Sequence, residues 1–495
     1  MEFHAWAPLF YFPRRYLKLT TCINNLHYEK FQDGTVKCIE DEIPFEVPEG
    51  WAWCKLNDIY NFIDYRGATP TKITNGIPLV TAKNVKSGYI DYTIDDYISE
   101  EEFKERQQRG ISKKGDILFT TEAPLGNAAL ADMEKFSAGQ RLITFQQYGS
   151  KDELINYVML MFILSDFFQQ QLYVNKTGST VAGIKAAILK TLWIPVPPYN
   201  EQLRISNTLK SAINLIDSIS KNKEILSTSI SNTKSKILDL AIRGKIVPQD
   251  PNDEPASVLL ERIRAEKEEL IKQGKIKRDK KESVIFKGDD NSYYEKIDGE
   301  VSCIDVEIPY DIPDTWTWMR LENCCVKEIR RGKSPKYAEI SNVIVFAQKC
   351  NTKYNGIDIS LAQYLDETTL KRYPTDEYMQ DGDVVINSTG TGTLGRVGIY
   401  RDGDNTTGLS VVPDSHVTII RGFSCICPYY LYAYIKAHQS ELEKKGEGST
   451  NQKELKPLTL KEMLIAIPPL SEQKRIDKMI DVAFQSLAVI EENLN

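Results

Sequence analysis

Apolar residues in the middle of the chain have the spacing of a long amphipathic helix. From Ile205 to Leu240 they recur at alternating steps of four and three residues, with Lys223 and Thr233 as the polar members of the series. The apolar positions of this stripe are Ile205, Leu209, Ala212, Ile216, Ile219, Leu226, Ile230, Ile237 and Leu240. A stripe of this kind held over about five heptads is typical of a coiled coil. We predict a helix that is capped at Asn200, ends at Gly244 and is on the order of 60 Å long.

The end of the chain carries a shorter copy of the stripe. Its apolar positions are Ile476, Ile480, Ala483, Leu487 and Ile490. Ser471 takes the place that Asn200 has in the first helix, and we predict that it caps the second one. Because an apolar stripe of this length has to be buried, we predict that the two helices pack against each other.

The segment before each helix has the pattern of mixed helix and strand structure. Short β-type runs such as GDILFTT, RLITFQQ, GDVVINS and HVTII are separated by Gly, Pro and Asn. One apolar helical stretch stands late in each segment, at 154–172 and at 428–445. We therefore predict an α+β fold for each segment, with one long helix packed on a sheet.

The two segments are copies of each other. IPFEVPEGWAWCKL at 43–56 matches IPYDIPDTWTWMRL at 308–321 without a gap, a separation of 265 residues (308 − 43). The closing motif PPYNEQLRI at 197–205 matches PPLSEQKRI at 468–476. The repeat predicts this division of the chain: an N-terminal segment at 1–42, a first module at 43–199, a central helical connector at 200–307, a second module at 308–470 and a C-terminal helix at 471–495.

The connector predicts a further helix after the loop VPQDPNDEP. Pro255 stands where a helix starts, and SVLLERIRAEKEELIKQG continues the pattern up to Gly274. We interpret the charged run that follows, KIKRDKKESVIF, as a solvated linker rather than as a DNA-binding patch.

Composition narrows the class of protein. The chain has 495 residues, is 41% hydrophobic and has a net charge of −7, which suits a multidomain globular protein and disfavours a simple electrostatic binder of nucleic acid. Its nine cysteines and four histidines form no spaced metal-binding set, so we expect reduced thiols, no metal site and a cytoplasmic location. The longest apolar run, from Leu154 to Leu164, is shorter than the roughly 20 residues that a membrane helix needs.

Two motifs match known sequence patterns but lack a residue or a following element that those patterns require. Gly390-Thr-Gly392-Thr-Leu-Gly395 spells the G-x-G-x-x-G of a dinucleotide-binding turn, but the β-type run RVGIY follows where a helix is required. Val196-Pro-Pro-Tyr199 resembles the (N/D)-P-P-(Y/F) motif of amino-methyltransferases, but its first position is apolar. We interpret the first motif as a flexible loop between strands and the second as a turn between a strand and a helix.

Together, the modules, their exits and the connector resemble a known family. The Pro-Pro-x-x-Glu-Gln-x-x-Ile exits and the connector beginning LDLAIRGKIVPQDPNDEP are similar to those of the specificity subunit of type I restriction–modification systems. The resemblance runs from about Tyr28 to the end of the chain. It implies two similar α/β target recognition domains, joined and spaced by two long antiparallel coiled-coil helices in a pseudo-twofold arrangement. Each domain is then expected to recognise one half of a split DNA sequence, and the helices to set the unread spacer.

The resemblance also implies partner subunits, and it implies that these subunits carry out catalysis. It implies that this chain has no catalytic site or cofactor of its own, that two methyltransferase subunits dock on the helices with S-adenosylmethionine, and that motor-nuclease subunits join them for cleavage. The chain departs from the pattern in three places. Residues 1–27 have no counterpart before the second module, the first module lacks a helix like that at 257–274, and the C-terminal helix is short.

Candidate DNA contacts come from polar loops that flank the predicted strands, because Arg and Lys suit guanine and phosphate whereas Asn and Gln suit adenine. In the first module they are Arg66, Thr69, Lys72, Lys83, Asn84, Lys86, Thr120, Thr121, Arg141, Lys176, Ser179 and Thr180. In the second they are Arg330, Arg331, Lys333, Lys336, Gln348, Lys349, Asn351, Ser388, Thr389, Ser449, Thr450, Asn451 and Gln452. The exit pairs Glu201-Gln202 and Glu472-Gln473 are interpreted as helix caps or partner contacts.

Two other functions stay open from the sequence. A self-contained DNA modification enzyme with fused recognition domains needs a cofactor site in this chain. A protein-binding scaffold would use the apolar stripe to recruit helices from another chain, and the net negative charge is compatible with it.

Overall fold

The computed structural model describes residues 26–494 apart from 27, 32, 94, 149–153, 179–181, 279–282, 354–355, 391 and 449–452. The chain divides into two compact units, Met1–Ile219 and Ser220–Asn495, and one long helix runs through the boundary.

In its described residues the first unit contains two larger sheets and two strand pairs, one of which closes the module. Its strands are β1 Tyr28–Lys30, β2 Val36–Cys38, β3 Ala52–Lys55, β4 Tyr60–Asp64, β5 Ile77–Val80, β6 Tyr97–Ile98, β7 Ile117–Thr120, β8 Ala128–Leu130, β9 Ser137–Ala138, β10 Leu142–Gln147 and β11 Trp193–Val196. Its helices are α1 Leu56–Ile59, α2 Glu100–Arg106, α3 Asn156–Ile163, α4 Asp166–Val174, α5 Ala186–Leu189 and the first part of α6 Tyr199–Ile242. Strands β4, β10, β7 and β8 form an antiparallel sheet in that order, and β6, β5 and β9 form a second sheet in which β5 and β9 are parallel. Because β3 pairs with β11, the module begins and ends at the same place.

The second unit repeats this arrangement. Its strands are β12 Ser283–Lys287, β13 Tyr293–Ile297, β14 Glu300–Cys303, β15 Thr317–Arg320, β16 Val343–Phe346, β17 Gln363–Tyr364, β18 Val384–Asn387, β19 Val397–Ile399, β20 Ser410–Pro413, β21 Val417–Ile420 and β22 Leu464–Ile467. Its helices are the rest of α6, α7 Ala256–Lys272, α8 Pro428–Ala437, α9 Gln439–Lys444, α10 Pro457–Lys461 and α11 Leu470–Glu492. The orders β19-β18-β21, β17-β16-β20 and β15-β22 match β8-β7-β10, β6-β5-β9 and β3-β11 of the first unit. The predicted duplication and the α+β fold of each module are confirmed.

The late helical stretch of each module is two helices, not the single one predicted. In the first module Ser165 separates α3 from α4: its backbone is extended and its hydroxyl accepts from the N–H of Phe168 at 3.5 Å, as an N-cap does. In the second module His438 separates α8 from α9. The apolar face of α3 still packs on the sheet as expected, since Val158 and Ile163 share a core cluster with Phe145.

Each long helix is connected to its module by a buried glutamine. Gln202 is fully buried, donates from Nε2 to the carbonyl of Pro197 at 2.9 Å and accepts from the N–H of Ile155 at 2.7 Å. The side chain thus joins the exit turn to the residue that precedes α3.

Gln473 makes the equivalent pair of hydrogen bonds in the second module. Its Nε2 donates to the carbonyl of Pro468 at 2.9 Å, and its Oε1 accepts from the N–H of Cys427, just before α8, at 2.8 Å. Its neighbour Glu472 is also buried and accepts from the indole N–H of Trp316 at 2.9 Å, and burial raises the pKa of Glu472. These residues were interpreted as helix caps or as partner contacts, and partner contact by Gln202, Glu472 and Gln473 is contradicted, because their side chains are covered by their own module.

The ends of the long helices test the predicted caps. The helix α6 begins at Tyr199 and α11 at Leu470, so Asn200 and Ser471 lie inside the first turn and the predicted caps are wrong. The predicted stop at Gly244 is confirmed: its φ is +65°, and the N–H of Lys245 donates back to the carbonyl of Leu240 at 2.9 Å. The predicted connector helix is α7, which begins after Pro255.

The apolar stripe is buried only in part. Within the second unit, Ala241 and Ile242 of α6 share a core cluster with Ile476 and Ile480 of α11. Near the other end of α11, Glu491 pairs with Lys234 of α6 at 2.7 Å, so the two helices run antiparallel as predicted.

The remaining positions of the stripe differ in their exposure. Ile230 is buried, and Ile205, Leu209, Ile237, Leu240, Ala483 and Leu487 are half-buried. Ala212, Ile216, Ile219, Leu226 and Ile490 are exposed, so the prediction of a fully buried stripe is wrong for these five. Since α11 has 23 residues and α6 has 44, α11 is too short to cover the whole stripe of α6.

Candidate nucleic-acid interface

One end of the first module brings three loops together around Thr121. This residue follows β7, its N–H donates to the carbonyl of Arg141 at 3.1 Å, and its carbonyl accepts from the N–H of Ile184 at 3.1 Å. Arg66 lies at the same end, since its guanidinium donates to the carbonyl of Ile184 at 3.3 Å. Glu122 follows in the chain and pairs with Arg141 at 3.5 Å.

The same loops meet in the second module around Ser388. Its N–H donates to the carbonyl of His416 at 2.8 Å, and its carbonyl accepts from the N–H of Leu455 at 2.9 Å. Arg331 forms a β-bridge to Thr418 beside them. These backbone hydrogen bonds make Ser388, His416 and Leu455 equivalent to Thr121, Arg141 and Ile184. We call this end of each module its loop edge, which comprises Arg66, Thr121, Glu122, Arg141 and Ile184 in the first module and Arg331, Ser388, Thr389, His416 and Leu455 in the second.

Some predicted DNA contacts lie inside the modules. The buried ones are Asn84, Thr120, Thr121, Asn351 and Ser388. Their side chains bond internally: the amide of Asn84 donates to the carbonyl of Asp91 at 2.9 Å, and the hydroxyls of Ser388 and Thr418 lie 2.6 Å apart. The structure contradicts direct groove contact by these five, because a covered hydroxyl or amide does not reach a base edge. They support the loops instead.

The other described candidates reach the surface. They are Arg66, Thr69, Lys72, Lys83, Lys86, Arg141, Lys176, Arg330, Arg331, Lys333, Lys336, Gln348, Lys349 and Thr389. Several are ion-paired, such as Lys72 with Asp96 at 2.6 Å and Arg331 with Glu454 at 3.0 Å. Because an exposed ion pair is worth only about 0–1 kcal/mol, a phosphate can replace its carboxylate at little cost. DNA contact by these residues stays a prediction, and Ser179, Thr180, Ser449, Thr450, Asn451 and Gln452 lie outside the described residues.

A buried carboxylate contacts the loop of the second module that carries Lys327, Arg330 and Lys333, which we call the basic loop. Glu377 is 2% exposed and lies 2.5 Å from Arg330, 3.2 Å from Lys327 and 3.5 Å from Lys333. Burial acts to raise the pKa of Glu377, but the charges of Lys327, Arg330 and Lys333 outweigh it and lower the pKa below its ordinary value. The loop therefore has a fixed shape although it carries several positive charges.

Three residues of this region were not predicted from the sequence. Glu122 and His416 lie at the loop edge next to residues that were selected, and Glu377 is distant in sequence from the loop that it orders. The signal for the first two was available, because each flanks the end of a strand that recurs in both copies. Nothing in the spacing indicated Glu377.

The duplication that shapes the two loop edges is also what the family comparison finds. A sequence model described as "type I restriction modification DNA specificity domain" matches residues 48–227 and 313–495, one match to each module. The chain belongs to this family.

Known relatives agree with this assignment. The specificity subunit of the type I restriction enzyme EcoEI from Escherichia coli is 25% identical over 520 residues, which cover 92% of this chain and 81% of the relative. The EcoAI specificity subunit, also from Escherichia coli, is 32% identical over 253 residues, or 50% of this chain and 38% of the relative. A chain solved in work on complex assembly and conformational transition of the type I R-M system has the same fold, with a TM-score of 0.57 at 18% identity over 91% of this chain and 94% of that one.

The G-x-G-x-x-G motif and the Val196-Pro-Pro-Tyr199 motif have structural roles in this specificity subunit. Gly395 is followed by the strand β19 and not by a helix, so the interpretation of G-x-G-x-x-G as a loop between strands is confirmed. Val196 ends β11 and Tyr199 begins α6, which confirms the exit turn. Among the described residues of the specificity subunit, no cluster of His, Cys, Asp and Glu is suited to a metal ion, and no helix is both long and apolar enough to cross a membrane.

Proposed function

We propose that this specificity subunit recognises a bipartite, asymmetric DNA sequence, with one half-site for each module and a spacer whose length is set by the long helices. The observation that carries the proposal is the loop edge. It has the same backbone hydrogen bonds in both modules but different side chains at equivalent places. Two modules that recognise different half-sites require this combination.

Partners complete the proposed activity. We assign catalysis to other subunits of a cytoplasmic complex: two methyltransferase subunits that bring S-adenosylmethionine, and motor-nuclease subunits that cleave. The exposed apolar residues of α6 support a docking role for this helix, because Ile216 and Ile219 are 60% and 58% exposed.

A binding selection tests the recognition. The full-length chain, together with its methyltransferase partner, is incubated with a library of random DNA duplexes, and the retained duplexes are sequenced. We expect two short fixed blocks separated by a constant gap. One contiguous block, or no preferred sequence, contradicts the proposal.

Calorimetry and a docking variant test the division of labour. We expect the chain alone to give no binding heat with S-adenosylmethionine, and clear binding would favour the self-contained enzyme.

Replacing Ile216 and Ile219 by Glu should prevent co-purification with the methyltransferase subunit without unfolding the chain, because both side chains are already in solvent. If co-purification persists, docking occurs elsewhere.

A further inference from the structure

Two side chains stand in contact with each other at each loop edge, and their chemistry differs between the modules. In the first module Nε of Arg141 lies 3.5 Å from Oε1 of Glu122. Both side chains are about half exposed, at 51% and 47%. The pair therefore presents a donor and an acceptor to solvent next to the start of β10.

In the second module the same two positions hold a different pair. The hydroxyl of Thr389 lies 2.6 Å from Nδ1 of the exposed His416. The equivalence is fixed by the backbone, because His416 directly precedes β21 as Arg141 precedes β10, and Thr389 follows Ser388 as Glu122 follows Thr121. The backbone of Thr389 also bridges to Glu454, as that of Glu122 bridges to Gly183.

Each loop edge also carries an arginine that is followed by glycine in the sequence. Arg66 and Arg331 are both followed by glycine and are both about one-third exposed at the loop edge. An arginine that is present in both modules suits a partner that is the same in both half-sites, such as phosphate. A position whose side chain differs between the modules suits the bases, which differ between the half-sites.

We propose that these two pairs, Glu122 with Arg141 and Thr389 with His416, contact the base edges at equivalent positions of the two half-sites and determine which base is preferred there. The inference rests on the proposed function and names specificity-determining residues for it.

The two pairs have different donor and acceptor geometry. A guanidinium whose Nε faces Glu122 can offer its terminal nitrogens to O6 and N7 of guanine, and the Glu122 carboxylate can accept from the amino group of the paired cytosine. With Nδ1 held by Thr389, His416 has one ring nitrogen, Nε2, for a single hydrogen bond to a base. We expect the first half-site to prefer guanine at this position strongly and the second to discriminate less.

Exchange of the pairs is the direct test. One variant carries Glu122→Thr with Arg141→His, and another carries Thr389→Glu with His416→Arg. The base preferences of each are determined by selection from random duplexes, with the full-length chain and its methyltransferase partner. The guanine preference should leave the first half-site in the one variant and appear at the equivalent position of the second half-site in the other. The inference is overturned if both half-sites keep their wild-type preferences.

A conservative variant separates base contact from phosphate contact. Arg141→Lys keeps the charge but loses the paired nitrogens, so the preference for guanine at one position should fall by roughly 5- to 150-fold. Binding should keep its dependence on salt concentration. An equal loss of affinity for all sequences would instead show that Arg141 binds phosphate, and the inference would fail.

Matched controls lie at the opposite end of the same sheets. Lys114 precedes β7 and Arg401 follows β19, and both are exposed. Lys114→Gln and Arg401→Gln remove a positive charge away from the loop edge and should leave both half-sites unchanged. If either control alters a base preference in the same way as the exchanges, the loop edge has no special role and the inference fails.

The outcome for the wild-type chain separates this inference from the proposed function. If the wild-type chain selects no bipartite sequence, both fail together. If it selects one and the exchanged pairs leave it unaltered, only the assignment of these four residues fails.

Discussion

At the scale of single residues, buried polar side chains decide how the modules are joined to the helices. Gln202 and Gln473 make the same two hydrogen bonds in the two modules, at the same step of the exit motif. The sequence showed that this motif recurs, but not that its glutamine faces inward. A polar residue in the first turn of a helix is more often exposed, and only the surrounding module determines otherwise.

Gln473→Met tests this connection. Methionine fills a similar volume but leaves the carbonyl of Pro468 and the N–H of Cys427 without their partner. Each unsatisfied buried group costs about 1–3 kcal/mol, so the free energy of unfolding should fall by roughly 2–6 kcal/mol in chemical denaturation. The exposed Gln485→Met on the same helix should change it by less than about 0.5 kcal/mol. Equal values for the two variants would show that the buried hydrogen bonds contribute nothing.

Glu377→Gln tests the carboxylate beneath the basic loop. It leaves Lys327, Arg330 and Lys333 without their common counter-charge, and breaking a buried ion pair from one side costs about 3–5 kcal/mol. Glu339→Gln, at an exposed position, is the control.

The effect of Glu377→Gln should depend on pH. The pKa of Glu377 is lowered in the folded chain from the ordinary value of 4.5, so the carboxylate stabilises the fold above that pH and loses its contribution as the pH falls through the lowered pKa. The difference in unfolding free energy between wild type and variant should therefore be largest at neutral pH and shrink in acid. A difference that stays constant with pH would contradict this role.

At the scale of elements, the sequence predicted the helices well and their partners less well. The four-three stripe and Gly244 located α6 to within a residue or two at each end, because helix periodicity and a left-handed glycine are local signals. Burial of the stripe is not local. It depends on which other segments of the protein cover the helix, and Ile216 and Ile219 are exposed. The break at Ser165 was not predicted because apolar residues stand on both sides of it, at 157–164 and at Phe167-Phe168.

A heptad insertion tests whether α6 sets the spacer. Duplicating residues 213–219 lengthens the exposed part of the helix by about 10 Å and turns its continuation by only about 20°. Since base pairs are about 3.4 Å apart, the gap between the two selected DNA blocks should grow by about three base pairs, and the blocks should stay the same. The length-preserving double variant Asn214→Ala with Asp217→Ala is the control. Altered blocks, or an unaltered gap, would contradict a spacing role.

At the scale of the whole molecule, the duplication could be predicted from sequence and the DNA-contacting surface only in part. Two copies of one motif set can be aligned by eye, and the strand orders of the two units confirm that they share one fold. Which polar loop residues face outward depends on contacts between distant segments. Ser388 and Thr389 are adjacent, yet the first is buried against Thr418 and the second contacts the exposed ring of His416.

The measurement that tests the central claim most directly replaces one module by the other. Residues 308–470 are put in place of residues 43–199, and the DNA selected by the resulting chain with its methyltransferase partner is compared with that selected by wild type. Because each module carries its own loop edge, both selected blocks should then have the sequence that only the second module preferred before. If the first block keeps its original sequence, or if both blocks change to a new one, the modules are not independent recognition domains and the account is wrong.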